Sequence, residues 1–388
     1  MLDANGISAG GMMSVYNDGP FNTTKNPALL TRTDSSFGAI LYGSPYTKGT
    51  TTTFEINGID SGSSNTDSRK TLSSNLSFVK SSKKMSFGLS FALQEDDNYY
   101  SRKSSGTYSG SDKFSNNEKS NAIGTYLSAA YKINSFYSFG LRLYSAYKKE
   151  SKEEIKIDSM ETVKKTNIDS FAINPSLGFH GINRRYRMEF GIILSCGTFL
   201  KKRYDYSFNR SDLKNGDESY SSQFEMAKSP SITFGVLKRY KKSSFLAESI
   251  FNIPSKYDDR DFSVDDTAGI IVVRDSKRSN SFGFEQKLGY EYSLSSSTAF
   301  SCGIGYWQIR QNDDLSTSSE SRKNSTNVRI LFSSFGFDKK ISENTKILFA
   351  SSCYIMFSKL ELKSGAFSIK INSHEFFPNI MFALVQKF

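Results

Sequence analysis

Runs in which apolar and small or polar side chains alternate residue by residue recur along this chain, and they restrict it to strands with two unlike faces. In 85–94, Met85, Phe87, Leu89, Phe91 and Leu93 fall on one face and Ser86, Gly88, Ser90, Ala92 and Gln94 on the other. The same period of two puts Tyr137, Phe139, Leu141 and Leu143 opposite Ser138, Gly140, Arg142 and Tyr144, and Tyr186, Met188, Phe190, Ile192 and Leu194 opposite Arg187, Glu189, Gly191, Ile193 and Ser195. A helix would bring its apolar positions round every three or four residues instead. The connections are as regular as the strands. Tight turns near 81–83, 134–135, 181–184, 238–242, 293–297 and 338–344 alternate with polar stretches at 60–68, 95–119, 148–166, 201–218 and 254–280. Short turns at one rim and long connections at the other describe an up-and-down barrel of about fourteen antiparallel strands whose apolar face meets lipid. A sandwich or propeller does not sort its loops by length in this way.

Composition supports the same reading. Only 37% of the 388 residues are hydrophobic, which is little for a soluble core of that size but ample when one strand face meets lipid and the other meets polar filling. No run approaches the roughly 18 apolar residues of a membrane-spanning helix. Gly43 and Pro45 interrupt the first strand-like run, leaving one bent strand or a small hairpin open. Aromatic residues gather where strands meet turns (Tyr131, Tyr137, Phe179, Tyr186, Phe245, Tyr292, Phe300), the depth of an interfacial girdle. The net charge of +11 is scattered through connections rather than concentrated in a stripe, which argues against nucleic acid. Cys196, Cys302 and Cys353 are far apart and suit neither a metal nor a disulfide framework. The start, Met1-Leu2-Asp3, has no leader character, as in a cytosolic protein or an exported one whose signal has been removed.

The stretch 7–31, ISAGGMMSVYNDGPFNTTKNPALLT, is different: three glycines, an Asn-Asp pair and an Asn-Pro step point to a compact irregular plug. Two units follow, a hatch over 1–35 and a barrel over 36–388. A greasy ligand with a carboxylate head needs an apolar pocket and a cation at its mouth. Met12, Met13 and Val15 are candidates for the apolar wall, or else simply pack the plug against the barrel. By parity Arg142 and Lys148 face the lumen, either to meet a carboxylate or to join a charge ladder with Glu189, Glu285 and Lys287. His180 and His374 are the only histidines and neither is tied by spacing to a serine or an acid, so no catalytic, metal or cofactor site is expected.

The segment NTTKNPALLTRTDSSFGAILYG (22–43) resembles the hatch-to-first-strand junction of the long-chain fatty-acid transporter (FadL) family of outer-membrane barrels. LSAAYKINSFYSFGLRLYSAYKK (127–149) is similar to that family's fourth and fifth strands, and 175–187 carries a further likeness. The resemblance implies an outer-membrane barrel of fourteen strands, closed by an N-terminal hatch, that passes long-chain fatty acids or aromatic hydrocarbons and releases them sideways into lipid. It also implies that Asn26, Pro27 and Ala28 sit against an inward kink of the third strand, for which Gly88 is the candidate. Expected partners are hydrophobic small molecules, outer-membrane lipid and, through the last strand ending in Phe388, the barrel-assembly machinery. Two other classes remain: an adhesive barrel binding through 95–119 or 254–280, and a polar-solute porin.

Overall fold

The computed structural model describes residues 15, 19–56, 59–104, 112–157, 161–210, 216–221, 225–265, 270–280, 283–316, 321–364 and 367–388. The backbone forms a single antiparallel sheet that closes on itself as a barrel of 14 strands. In chain order these are β1 (Ser36–Ile56), β2 (Ile59–Ser81), β3 (Met85–Ser104), β4 (Asp112–Lys132), β5 (Tyr137–Ile157) and β6 (Glu161–Asn183). Next come β7 (Met188–Ser195 continued by Thr198–Arg210), β8 (Gly216–Ser221, Glu225–Lys228 and Ser231–Arg239), β9 (Ser243–Asn252 and Ser255–Asp265) and β10 (Ile270–Asn280 and Gly283–Ser293). β11 (Thr298–Ser316), β12 (Ser321–Lys340), β13 (Thr345–Ser364) and β14 (Phe367–Lys387) complete the wall. β14 pairs with β1, Ser36 facing Lys387, so the lower rim has no free edge.

Alternation becomes sidedness. Leu76, Phe78, Phe87, Leu93, Leu127, Leu141, Leu143, Leu177, Leu194, Phe234, Ile304, Leu331 and Phe382 are exposed on the outer surface, an apolar belt running round the barrel. Their neighbours in sequence turn inward and are buried: Ser77, Ser86, Ser90, Ser128, Ser138 and Ser176. At the short-turn rim, rings pack side by side on the outer face, Tyr137 with Phe179 (centroids 5.9 Å apart), Tyr131 with Phe139 (6.1 Å) and Tyr240 with Phe245 (5.7 Å). Amphipathic rings at that depth place hydroxyls in water and carbon in lipid.

The long polar connections are the main departure from the sequence reading. Most of 60–68, 95–104, 112–119, 148–157, 161–166, 201–210 and 254–280 is strand, paired in register with its neighbour, as in Asp97 to Lys119 and Lys148 to Ser170. β3 alone has 20 residues, about twice the 9–11 that a tilted crossing needs. The wall therefore stands well above the apolar belt. With water on both faces, those segments have no reason to alternate apolar and polar residues, so periodicity could not reveal them. The first run is one strand through Gly43 and Pro45, continuously paired with β2.

Among the described residues the ladder stops or slips in several places, among them β7–β8 at Met226/Lys228 and β10–β11 between Asn280–Gln311 and Phe284–Gln308. Between β1 and β14 it stops at Gly43–Ile380 and resumes, shifted, at Thr53–Asn372, from the upper margin of the belt outward. Inside the belt, pairing also lapses at 196–197, 229–230 and 253–254, on β7 to β9, while β6 runs through that level unbroken and its Pro175 carbonyl accepts from Cys196 N at 3.1 Å.

Leu141→Arg on the outer face of β5 is expected to cost about 2–4 kcal/mol, and Ser151→Arg, further up the same face and beyond the belt, about 0–1 kcal/mol. Equilibrium unfolding in urea from phospholipid vesicles measures both.

Candidate functional site

The lumen beside β1 to β6 is occupied by residues 19–35, which form two short 3-10 turns, Gly19–Thr23 and Pro27–Arg32. The sequence dictates the break between them. Asn26 sits at φ −79°, ψ 109°, as a residue before proline must, and its side-chain oxygen accepts from the Ala28 N–H at 3.1 Å. Pro27 opens the second turn, where its missing N–H is not needed. Thr33 closes it, donating its N–H to the Leu30 carbonyl, while its hydroxyl accepts from Asn22 at 2.9 Å. Every residue from Pro20 to Leu30 is buried.

Three apolar contacts tie this segment to different parts of the wall. Phe21 packs among Ile40, Tyr42, Leu348, Met381 and Val385; Leu30 lies against Val79 and Ala130; Val15 lies against Leu237 and Leu246. Between them, the wall serines and one arginine reach the segment's carbonyls. Ser128 donates to Thr23 O (2.9 Å), Ser138 to Ala28 O (3.0 Å), and Thr23 and Ser90 share a hydroxyl–hydroxyl bond. Asn26 Nδ2 donates outward to Phe179 O at 3.0 Å. Arg142 binds Thr24 O, Lys25 O (2.7 Å) and the Ser176 hydroxyl (2.9 Å). At about 0.5–1.5 kcal/mol net for each neutral bond, the polar contacts together hold the segment by several kcal/mol.

The wall is stripped to backbone where the segment is widest. A Cβ at Gly178 would lie 2.1 Å from Asn26 Oδ1, one at Gly140 2.6 Å from the Pro27 carbonyl carbon, and one at Gly88 2.2 Å from Thr23 Cγ2. The same strands are concave on the outside, where Phe78, Phe87, Leu127, Leu141 and Leu143 line an apolar groove of about 760 Å³. Inner segment and outer groove are separated there by one thickness of sheet.

The candidate residues sort as follows. Asn26, Pro27 and Ala28 meet the wall at β5 and β6, not at β3. At Gly88 there is no bulge: β3 pairs with β2 and β4 without a register shift through Val79–Gly88 and Gly88–Ser128. Its missing side chain makes room for Thr23 instead. Arg142 faces inward as parity requires, but its guanidinium is committed to the inner segment. Lys148, about 20 Å further along the strand at 3.3 Å per residue, is paired with Glu150 (2.7 Å) and does not join it. Val15 is fully buried; Met12 and Met13 lie outside the described residues. The charge ladder resolves into two clusters: His180 and Arg239 on Glu189 (3.0 and 2.7 Å), and Lys287 between Glu285 (2.9 Å) and Glu248 (3.4 Å). Sequence reasoning missed Gly140, Gly178, Ser128 and Ser138. Their signal was present, since small residues recur at the lumen-facing positions of β4, β5 and β6.

No protein-family model matches the chain, and no curated protein matches it. Solved structures do. The toluene transporter TodX of Pseudomonas putida is 13% identical over 100% of this chain and 99% of its own, with a TM-score of 0.64. A FadL homologue from Pseudomonas aeruginosa is 11% identical over 98% and 96%, with a TM-score of 0.64. The toluene transporter TbuX of Ralstonia pickettii is 14% identical over 98% and 97%, with a TM-score of 0.60. At such identities the likeness is one of fold: the chain has the barrel fold of these transporters, and its outward apolar belt suits a lipid bilayer.

Gly140→Val is expected to displace residues 22–28, because the clash is with backbone on both sides, whereas Gly43→Ala has nothing within 4 Å to meet and is expected to be silent. Planar-bilayer recordings test this through a raised conductance in the first variant and none in the second.

Proposed function

We propose that the barrel is a passive conduit for hydrophobic compounds across the outer membrane, and that residues 1–35 act as its hatch. The observation that carries this reading is the inner segment itself. It is buried against the wall, yet among the described residues its contacts from Pro20 to Leu30 are side-chain hydrogen bonds, apolar packing and close approach to bare glycine backbone rather than strand pairing, so it could leave without breaking the barrel. The fold shared with TodX, TbuX and the FadL homologue agrees with a transport role.

Long-chain fatty acids are the substrate we favour, for a reason that lies in Arg142. An ionised carboxylate is a stronger acceptor for a guanidinium than two backbone carbonyls, and it binds in a bidentate fork. A fatty acid entering from the outer rim would compete with Thr24 and Lys25 for Arg142 and so loosen the hatch as it binds. Met12, Met13 and Val15 would then offer an adaptable apolar surface for the tail. A neutral hydrocarbon has no such claim on Arg142. The tall polar wall above the belt suits an adhesive role as well; removing 95–119 would abolish adhesion while sparing uptake.

Saturable binding of oleate to the detergent-solubilised protein is expected, weakened by Arg142→Gln and altered by deletion of residues 1–31. Titration with a fluorescent oleate analogue measures all three, and an absence of saturable binding in every form overturns the reading.

A further inference from the structure

We propose that the turns 183–187 and 238–242, side by side at the short-turn rim, bind the phosphate-bearing headgroup of an anionic phospholipid in the leaflet that this rim meets. The inference rests on the membrane barrel alone and holds whatever passes through its lumen.

The positive excess, scattered in residue order, is gathered by the fold. The short-turn rim is made of 80–84, 132–136, 183–187, 238–242, 293–297 and 338–346, which carry 14 Lys and Arg against 2 acids, where the whole chain has 50 against 39. Half of those 14 lie in two segments, three arginines in 183–187 and four cations in 238–242, whereas 293–297, next along the rim, has none. The pairing of β7 with β8 brings the two basic turns together. Arg239 N donates to Arg187 O at 3.0 Å, and Lys238 Nζ donates to Tyr186 O. Lys238 is committed to that carbonyl and Arg239 to Glu189 (2.7 Å). Arg184, Arg185, Arg187, Lys241 and Lys242 are exposed and form no ion pair among the described residues. Like charges crowded on one small surface repel, and an anion in contact with them relieves the repulsion.

At Arg187 the backbone itself is unusual. Its φ is +51°, in the left-handed region, and no other non-glycine among the described residues has a positive φ. The turn is fastened without the Arg187 side chain, by Arg187 N to Arg184 O (3.2 Å) and Tyr186 N to Asn183 Oδ1 (3.3 Å). Glycine would occupy position 187 at less backbone cost, so what the arginine supplies is its guanidinium.

Depth decides the anion. On the outer face just inside the turns stand two rows of rings. Phe179 lies between Tyr137 and Phe190 (centroids 5.9 and 6.0 Å away), and Phe245 between Tyr240 and Tyr290 (5.7 and 4.9 Å). Such rings mark the boundary between hydrocarbon and headgroups, so the phosphate layer is what touches the turns from outside. Tyr186 and Tyr240 are 53% and 55% exposed among the cations. The Arg185 guanidinium lies over the Tyr186 ring (5.6 Å to its centre) and that of Arg184 over Phe136 (5.1 Å). A guanidinium laid on a ring keeps edge donors for a phosphate. A free anion would meet the cations and leave the rings unused, whereas a phospholipid engages both, and basic clusters at this depth draw anionic lipid charge by charge.

The test is selectivity for boundary lipid. The whole chain is reconstituted in phosphatidylcholine vesicles holding a trace of chain-spin-labelled phosphatidylglycerol or phosphatidylcholine, and electron spin resonance reads the fraction of each label immobilised on the protein. Folding of every variant is checked by its gel shift on boiling. A preference for phosphatidylglycerol of about threefold or more is expected at low salt, and its loss in about 1 M salt. Arg185→Gln with Lys241→Gln and Lys242→Gln is expected to abolish it. Lys83→Gln with Lys84→Gln and Lys339→Gln, the same loss of charge elsewhere on the rim, is expected to leave it. Arg187→Gly separates lipid binding from folding: the preference falls, while the temperature of the gel shift holds or rises because glycine relieves the left-handed backbone. An unchanged preference in Arg187→Gly overturns the role given to that guanidinium. Equal loss in the two triple variants ascribes the preference to diffuse rim charge and overturns the site, as does the absence of any preference in the native protein. Abolition by inorganic phosphate at constant ionic strength assigns the turns to a free ion and overturns the lipid.

Discussion

In lipid a backbone amide has no partner but another amide, and this one rule shapes the molecule. It requires that strands close on themselves, which β14 does by pairing with β1. It turns the apolar side chains outward, where a soluble protein would turn them in. It also makes every irregularity within the belt conspicuous, because each must be repaired by something other than water. Asn174 is such a repair: a single amide side chain takes up the carbonyl that the bulge at Gly197 leaves over.

Turning the apolar face outward leaves the lumen to small and polar side chains, and that is what allows a stretch of ordinary chain to lie inside. Serines at 128 and 138 present hydroxyls to the carbonyls of Thr23 and Ala28, Ser90 bonds the Thr23 hydroxyl, and glycines at 88, 140 and 178 let the segment approach. These contacts are individually weak and numerous. Arg142 is the exception, a charged fork on two carbonyls of the segment and on the Ser176 hydroxyl of β6.

Several elements were legible from residue order. The alternation in 85–94 and 137–144 translated into outer and inner faces residue for residue, and the turns at 134–135 and 293–297 fell where the polar dipeptides and serines put them. The Asn26-Pro27 step announced its own non-helical backbone. The polar stretches 95–104 and 254–265 were misread as loops because a strand wetted on both faces has no alternation to display. A glycine in a strand looks the same in sequence whether it bends the chain or clears a space; that Gly88 clears space for Thr23 is a fact only the folded chain contains.

Taken alone, the order of residues determined the strand period, the sense of each face and the irregular character of the first thirty-odd positions, since these follow from local sterics and from the contrast between lipid and water. Which wall the inner segment leans on, which cation it occupies and where the ladder parts were decided by closure. Residues 26 and 179, or 24 and 142, become neighbours only when the wall curves round the inner segment, and no local preference encodes a contact between positions that far apart in the chain.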